Sequence, residues 1–429
     1  MINARRRSRK RRGWNDGAVV DWAGLRHAYG SAEDVPGHLA ALRSEDEDER
    51  REAFGELYAS IVHQGNRYSA SAAAVPELLD LVGDPSVPDR DLLLHLLGII
   101  AIGGDGMWLP GTVRVAELRA KGLVDELRAY EAVAAGLPLL QRLAGGNEAD
   151  ADVAASASCL LGWFPGETKS LEILKNRASG EGWASARAAP HGEATRTAGP
   201  RGHAVSLGEE APAAPPGEVS RGEAEPQGEV APLGEVAPLG AAVRVDKAEP
   251  AAVVGVGLVG LADGVPVAEA ALGSDDPIMR WAGAVALARL GVSRGEVRDE
   301  LLGWAASDAP GDPSIPYLEG DLGGYALLSL QLIGVDPLRA ALERLRHVSA
   351  EPALTALVVA LRAAFPDGPV AKGTGFRELS ERQRRLVRTL ADNPGAWRYD
   401  GMEFVNFSLA VSDHGLPHGH DRLREYAGI

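Results

Sequence analysis

Three histidines near one end of the chain, His414, His418 and His420, are the residues whose type and spacing most directly suggest chemistry. Histidines at i and i+4 can share a metal ion on one helix face. Gly415, Pro417 and Gly419 interrupt a regular helix there, and only Asp413 and Asp421 stand at ligand spacing, so a polar turn is expected and no metal. Gly255-Val256-Gly257-Leu258-Val259-Gly260 fits the glycine spacing of a dinucleotide loop, which also needs a strand before it and a long helix after it. Asp263-Gly264-Val265-Pro266 follows at once, so the segment is expected to be a packing helix thinned by glycine. No His is followed by Glu, which removes the zinc-protease motif. No cofactor is expected.

A second group of residues suits recognition rather than catalysis. Trp22, His27 and Tyr29 precede His63-Gln64-Gly65 and Tyr68. Trp22-x-x-Leu25-x-x-Ala28-Tyr29-Gly30 is predicted to form a first helix closed by a glycine, and His63-Gln64-Gly65 to close the next one in the same way. Both ends then meet at one rim, either as a cap over the first helices or as a binding patch of the kind Trp and Tyr favour. The candidate binding residues are Trp22, His27, Tyr29, Arg50, His63, Gln64 and Tyr68, with Trp108 on the glycine-rich stretch 103–110.

The elements that position these groups are legible from a recurrence. A small or acidic residue, then Val, Leu or Ile, then Pro opens an amphipathic run at Asp34-Val35-Pro36, Ala74-Val75-Pro76, Gly136-Leu137-Pro138, Gly264-Val265-Pro266 and Ser314-Ile315-Pro316. Proline is tolerated in a first helical turn because its missing N–H has no intrahelical acceptor there. A partner helix follows in a fixed register: Asp46 with Arg50, Ala53 and Leu57; Asp276 with Arg280, Gly283 and Leu287; Asp150 with Ala154, Ala157 and Leu161. Asp at the helix start accepts orphan N–H groups, and Ala or Gly three residues past the Arg lets the paired helix approach closely.

The run Ser274-Asp275-Asp276-Pro277-Ile278-Met279-Arg280-Trp281-Ala282-Gly283-Ala284-Val285-Ala286-Leu287-Ala288-Arg289-Leu290-Gly291 resembles the second helix of bacterial HEAT repeats related to phycobilisome lyases. Residues 34–62 are similar to it, and 150–163 are a degenerate version lacking the Arg. The resemblance implies an all-α fold, a right-handed α-solenoid of HEAT-like antiparallel helix pairs. It carries over no catalytic residue.

The expected organisation is a basic disordered tail (1–13), N-terminal repeats (14–178), a disordered Gly/Ala/Pro/Glu-rich insertion (179–250), C-terminal repeats (251–370) and a helical C-terminal cap (371–429). The insertion is expected between the two helices of one repeat, so that Ile173 and Leu174 touch the helix beginning near Ala251. The cap is read as an amphipathic helix over 376–391, with Leu379, Leu386, Val387 and Leu390 inward and Arg382, Arg384, Arg385 and Arg388 outward, followed by Trp397, Phe404, Phe407 and Leu409.

Charge and cysteine content set the partner classes. The net charge is −16, and the tail from Arg5 to Arg12 alone contributes +7, so the body is a poor binder of polyanions. One cysteine, Cys159, excludes a disulfide framework and points to the cytoplasm. Apolar runs at 92–102 and 251–262 fall short of the ~20 residues that span a bilayer. The expected function is a monomeric, cytoplasmic, bacterial protein-binding scaffold or adaptor, in one version neutralising a basic partner such as a toxin. The alternatives are an enzyme on the same scaffold, chiefly a bilin lyase, and nucleic-acid binding through the basic arm.

Overall fold

The computed structural model describes residues 20–103, 113, 115–145, 148, 150–179, 248–307, 311–312 and 320–429. These residues form an all-α fold with two short β-hairpins. Among them no helix is long and apolar enough to cross a membrane.

Helices pack in pairs along the chain. Val35–Ala41 packs on Glu47–Ile61, Ser69–Val82 on Arg90–Ile102, Leu137–Ala144 on Ala151–Leu161, and Thr168–Ala178 on Ala248–Val259. Val265–Leu272 then packs on Pro277–Arg289, Gly295–Ala306 on Leu322–Leu332, and Leu338–Arg344 on Ala350–Ala364. The second helices also touch one another in succession: Arg90–Ile102, Ala151–Leu161, Ala248–Val259, Pro277–Arg289, Leu322–Leu332 and Ala350–Ala364. One continuous apolar core runs through all of them.

The predicted helix starts are real and their cause is visible. Asp46 accepts from the N–H groups of Asp48 and Glu49, Asp150 from Asp152 and Val153, and Asp276 from Ile278 and Met279. Pro36, Pro138 and Pro266 lie in first turns as expected. Pro76 does not: its helix begins two turns earlier, at Ser69, because the Tyr68 N–H donates to Ser71 Oγ at 2.7 Å and the Ala-rich stretch that follows favours helix. The Ser314-Ile315-Pro316 start lies outside the described residues, as do the basic tail and Trp108.

The repeated Arg folds back on its own loop. Arg50 Nη1 donates to the carbonyls of Ser44 and Glu45 at 3.1 and 3.2 Å, and Arg280 Nη1 to those of Ser274 and Asp275 at 3.1 and 2.9 Å. Each then reaches the next helix pair, Arg50 Nε pairing with Asp89 at 2.7 Å and Arg280 Nε with Glu300 at 3.5 Å. Gly283 supplies the predicted close approach. A Cβ there would meet the Leu272 amide and lie 2.7 Å from Ala268 O.

Helix Thr168–Ala178 packs directly on Ala248–Val259, and Leu174 lies against Gly255, where a Cβ would be 3.3 Å from its methyl groups. The second of these helices starts three residues inside the stretch read as disordered. Glu249 and Pro250 suit a first turn, one by charge and the other by its fixed φ. The disorder expected for the rest of the insertion, 180–247, lies outside the described residues.

Two further expectations are corrected. Residues 22–30 are not one helix: a 3-10 turn, Trp22–Gly24, leads into a hairpin pairing Arg26–His27 with Gly30–Ser31, and Gly30 (φ 133°) belongs to that hairpin. The 376–391 helix is also broken. A 3-10 turn, Phe376–Glu378, precedes the helix Glu381–Asp392, because Ser380 caps it by accepting from Gln383 N–H while the Gln383 side chain accepts from Ser380 N–H. Leu379, Leu386, Val387 and Leu390 are buried as expected, and a second hairpin follows, Arg398–Tyr399 with Met402–Glu403.

Candidate functional site

The rim expected near the N-terminus forms, on a different scaffold from the one predicted. The 26–31 hairpin is anchored to the first helices by two hydrogen bonds from its backbone, Ala28 N–H to the Ser60 carbonyl at 3.0 Å and Arg26 N–H to the Ser69 hydroxyl at 2.9 Å. Its turn thrusts out Tyr29, which is 66% exposed, the least buried large aromatic among the described residues.

His27 fixes that turn from below. The ring is buried, its Nδ1 accepts the Tyr29 N–H at 3.0 Å, and its Nε2 donates to Asp34 Oδ1 at 3.0 Å. Both nitrogens are therefore engaged, so His27 acts as a strut beneath the turn. Asp34 precedes helix Val35–Ala41 but makes no side-chain cap bond, because its carboxylate is turned to His27 and, at 3.8 Å, to His38. Sequence reading missed Asp34 as a site residue. Its place in the Asp34-Val35-Pro36 helix start marks it only as a capping residue, and the pairing depends on the hairpin that brings His27 over it.

His63 holds the tip of Tyr29. Its Nδ1 lies 3.1 Å from Ala59 O and 3.3 Å from the Tyr29 hydroxyl, and the two rings meet edge-on at 5.4 Å. His63 starts a 3-10 turn, His63–Gly65, in which Gln64 has a left-handed backbone (φ 51°) and an exposed side chain. Such a conformation costs a non-glycine residue about 1 kcal/mol or more and persists where the surroundings hold it. Tyr68 stands half-buried beside this group; burial and the neighbouring Tyr29 push its hydroxyl pKa up. His27, Tyr29, His63, Gln64 and Tyr68 thus share one edge.

Trp22 is half-buried against the core below the hairpin. Arg50 is elsewhere. It lies near the start of the helix whose far end precedes His63, about 17 Å along the axis from Ile61, and its guanidinium is engaged by loop carbonyls and Asp89. The arrangement presents one exposed aromatic ring, Tyr29, with its backbone N–H and its hydroxyl beside imidazole nitrogens of His27 and His63.

No family model and no curated protein matches the chain. Among solved structures it is similar to a crystal structure of an engineered protein, at 15% identity over 92% of this chain and 97% of that one, with a TM-score of 0.22.

The other residues that could do chemistry are used in packing. His414 Nδ1 lies 2.9 Å from Ala410 O and His420 Nε2 2.9 Å from Ala391 O, so their rings are held on separate helices. Among the described residues no group of three or more His, Cys, Asp or Glu side chains could hold a metal ion. The glycines of 255–260 lie in or just after helix Ala248–Val259. Gly257 faces the backbone of Pro277–Arg289, where a Cβ would be 2.6 Å from Ala286 Cα. Gly291-Val292-Ser293-Arg294-Gly295 fits the spacing of a serine nucleophile elbow, a match that spacing alone should flag, but it joins two helices where that motif needs a strand-to-helix turn. Cys159 is half-buried in Ala151–Leu161.

Proposed function

We propose that the chain is a non-enzymatic protein-binding scaffold, a right-handed α-solenoid of HEAT-like helix pairs, that docks another protein on the rim around Tyr29. The observation that carries the reading is Tyr29 itself: a large, exposed aromatic fixed at its backbone by His27 and at its hydroxyl by His63. An anchor ordered before binding loses little side-chain entropy on docking. The succession of paired helices supports the solenoid, whose repeats each contact chiefly their neighbours. A net charge of −16 suits a basic partner, such as a toxin that the scaffold would neutralise, met by a monomer in the cytoplasm.

The test is affinity capture from native lysate with three baits: the wild-type chain, Tyr29→Ala, and Met402→Ala as a control in the other hairpin. A stoichiometric protein held at moderate salt by the wild type and the control, and at least about tenfold less by Tyr29→Ala, is expected. Equal retention on Tyr29→Ala would overturn the assigned face. A coloured chain without a protein partner would replace the scaffold reading with the bilin lyase one.

A further inference from the structure

At the opposite end of the chain the turn Phe376–Glu378, the helix Glu381–Asp392 and the last helix, His420–Ala427, enclose a groove of about 920 Å³ lined by Phe376, Arg377, Glu378, Arg384, Arg388 and Tyr426. We propose that this groove is a second docking surface, which takes an acidic segment of a partner protein. The proposal stands apart from the Tyr29 rim and does not rest on it.

The groove has a built floor. Phe376 and Tyr426 meet edge-on at 5.8 Å, and the Tyr426 hydroxyl donates to Thr374 O at 2.8 Å. Arg384 forms a fixed wall: it donates to the carbonyls of Arg377 and Leu379 at 3.2 and 2.7 Å and to Glu381 at 3.2 Å. Arg388 lies over the Phe376 ring at 5.4 Å. A guanidinium stacked on a ring keeps its N–H groups in the plane, where they can meet a carboxylate in a two-point bond. The one acidic lining residue, Glu378, is turned to the backbone and accepts from the Gly375 N–H at 2.6 Å.

Two cations are therefore displayed without compensation. Arg377 and Arg388 are exposed, and neither has a carboxylate within ion-pair distance among the described residues. Other exposed arginines, among them Arg339, Arg362 and Arg422, likewise have no ion pair among the described residues, so what sets these two apart is their place in the groove, with Arg388 stacked on Phe376. The chain as a whole is strongly acidic, yet residues 371–429 hold nine Lys and Arg against eight Asp and Glu. An acidic segment is repelled by the body and drawn to this end, which selects both the ligand and its orientation. The volume lies near the upper end of ligand pockets, more than one side chain fills, and the two rings offer contact to an apolar residue of the segment.

The experiment uses the full chain and a fluorescein-labelled Glu-rich peptide carrying one Phe, titrated by anisotropy at low and at physiological salt. Saturable binding that weakens with salt is expected. Arg377→Glu with Arg388→Glu should weaken it about 100-fold, and Arg388→Lys, which keeps the charge and loses the planar fork, about fivefold. Arg298→Glu, a remote charge reversal, should change it by less than about twofold. Circular dichroism and thermal melting establish that each variant is folded, which is expected because the side chains changed are exposed.

Undiminished binding by the folded double variant would overturn the proposal, as would an equal loss in Arg298→Glu or no binding at low salt. Tighter binding of a single-stranded oligonucleotide than of the peptide would also overturn it, in favour of a nucleic-acid surface. So would self-association by light scattering, lost in the double variant, in a chain that ignores the peptide, because the occupant would then be a second copy.

Discussion

The helix that opens at Asp46 and the helix that opens at Asp276 carry an Asp cap, an Arg and a Leu at the same spacing and meet their neighbours differently. Both have the Asp cap and the back-folded Arg. Ala53 occupies the close-approach position in the first, whereas Gly283 occupies it in the second, where the backbone of Val265–Leu272 leaves no room for a methyl group. Conversely, the first Arg makes the shorter bond to the next pair, 2.7 Å to Asp89 against 3.5 Å to Glu300. The cap sets where a helix starts, the small residue sets how near its partner comes, and the Arg ties one pair to the next. These three functions are separable.

The comparison breaks hardest where the tie is buried. Arg344, from Leu338–Arg344, donates to Ser307 O at 2.9 Å and to the Asp321 carboxylate that caps Leu322–Leu332, with the two side chains 4% and 9% exposed. Burial pushes the Asp321 pKa up, while Arg344 pulls it down. Arg344→Ala should cost about 3–5 kcal/mol in urea unfolding, because it leaves a buried carboxylate without its counter-charge. Gly283→Ala should cost about 1–3 kcal/mol by forcing two backbones apart, whereas Ala53→Gly should cost about 1 kcal/mol through helix propensity alone; equal effects would show that the two positions are not distinct. Asp46→Ala, Asp150→Ala and Asp276→Ala should each lose about 1 kcal/mol, measured in the same way, whether or not an Arg follows.

The smallest effect belongs to the exposed tie. Two hydrogen bonds from Arg382, at 2.7 and 2.9 Å, hold the Asp336 carboxyl below its ordinary range. A depressed carboxylate contributes stability that is full above the unfolded value of about 3.9 and is lost as pH falls through the folded value. Asp336→Asn should therefore leave acid unfolding slightly less steep below about pH 4, by under about 1 kcal/mol given the exposure of both groups. High salt should shrink the difference further.

What the sequence disclosed follows the range of the interaction that fixes each feature. Caps such as Asp46 and Asp276 act within three residues, so their spacing is legible directly. The contact of Leu174 with Gly255 was legible from helical pattern on either side of the interruption. The 26–31 hairpin was not, because two-residue strands carry no period, and Ala28 and Arg26 are held by Ser60 and Ser69, far along the chain. At the rim the residue types were found and the geometry was missed: His27, Tyr29, His63 and Tyr68 do meet, whereas Arg50 serves the framework and the Asp34 pairing went unread. The C-terminal groove needs Tyr426 to meet Phe376 across 50 residues, which no local pattern encodes.

The packing of Thr168–Ala178 on Ala248–Val259 brings the chain back beside the place it left, with Gly166 N–H bonded to Val259 O at 2.9 Å. Continuity of the polypeptide between these two helices is thus not what keeps the halves together. A nick anywhere from 180 to 247 would yield two fragments that copurify, and the gene could be divided there and its halves expressed separately to reassemble by complementation.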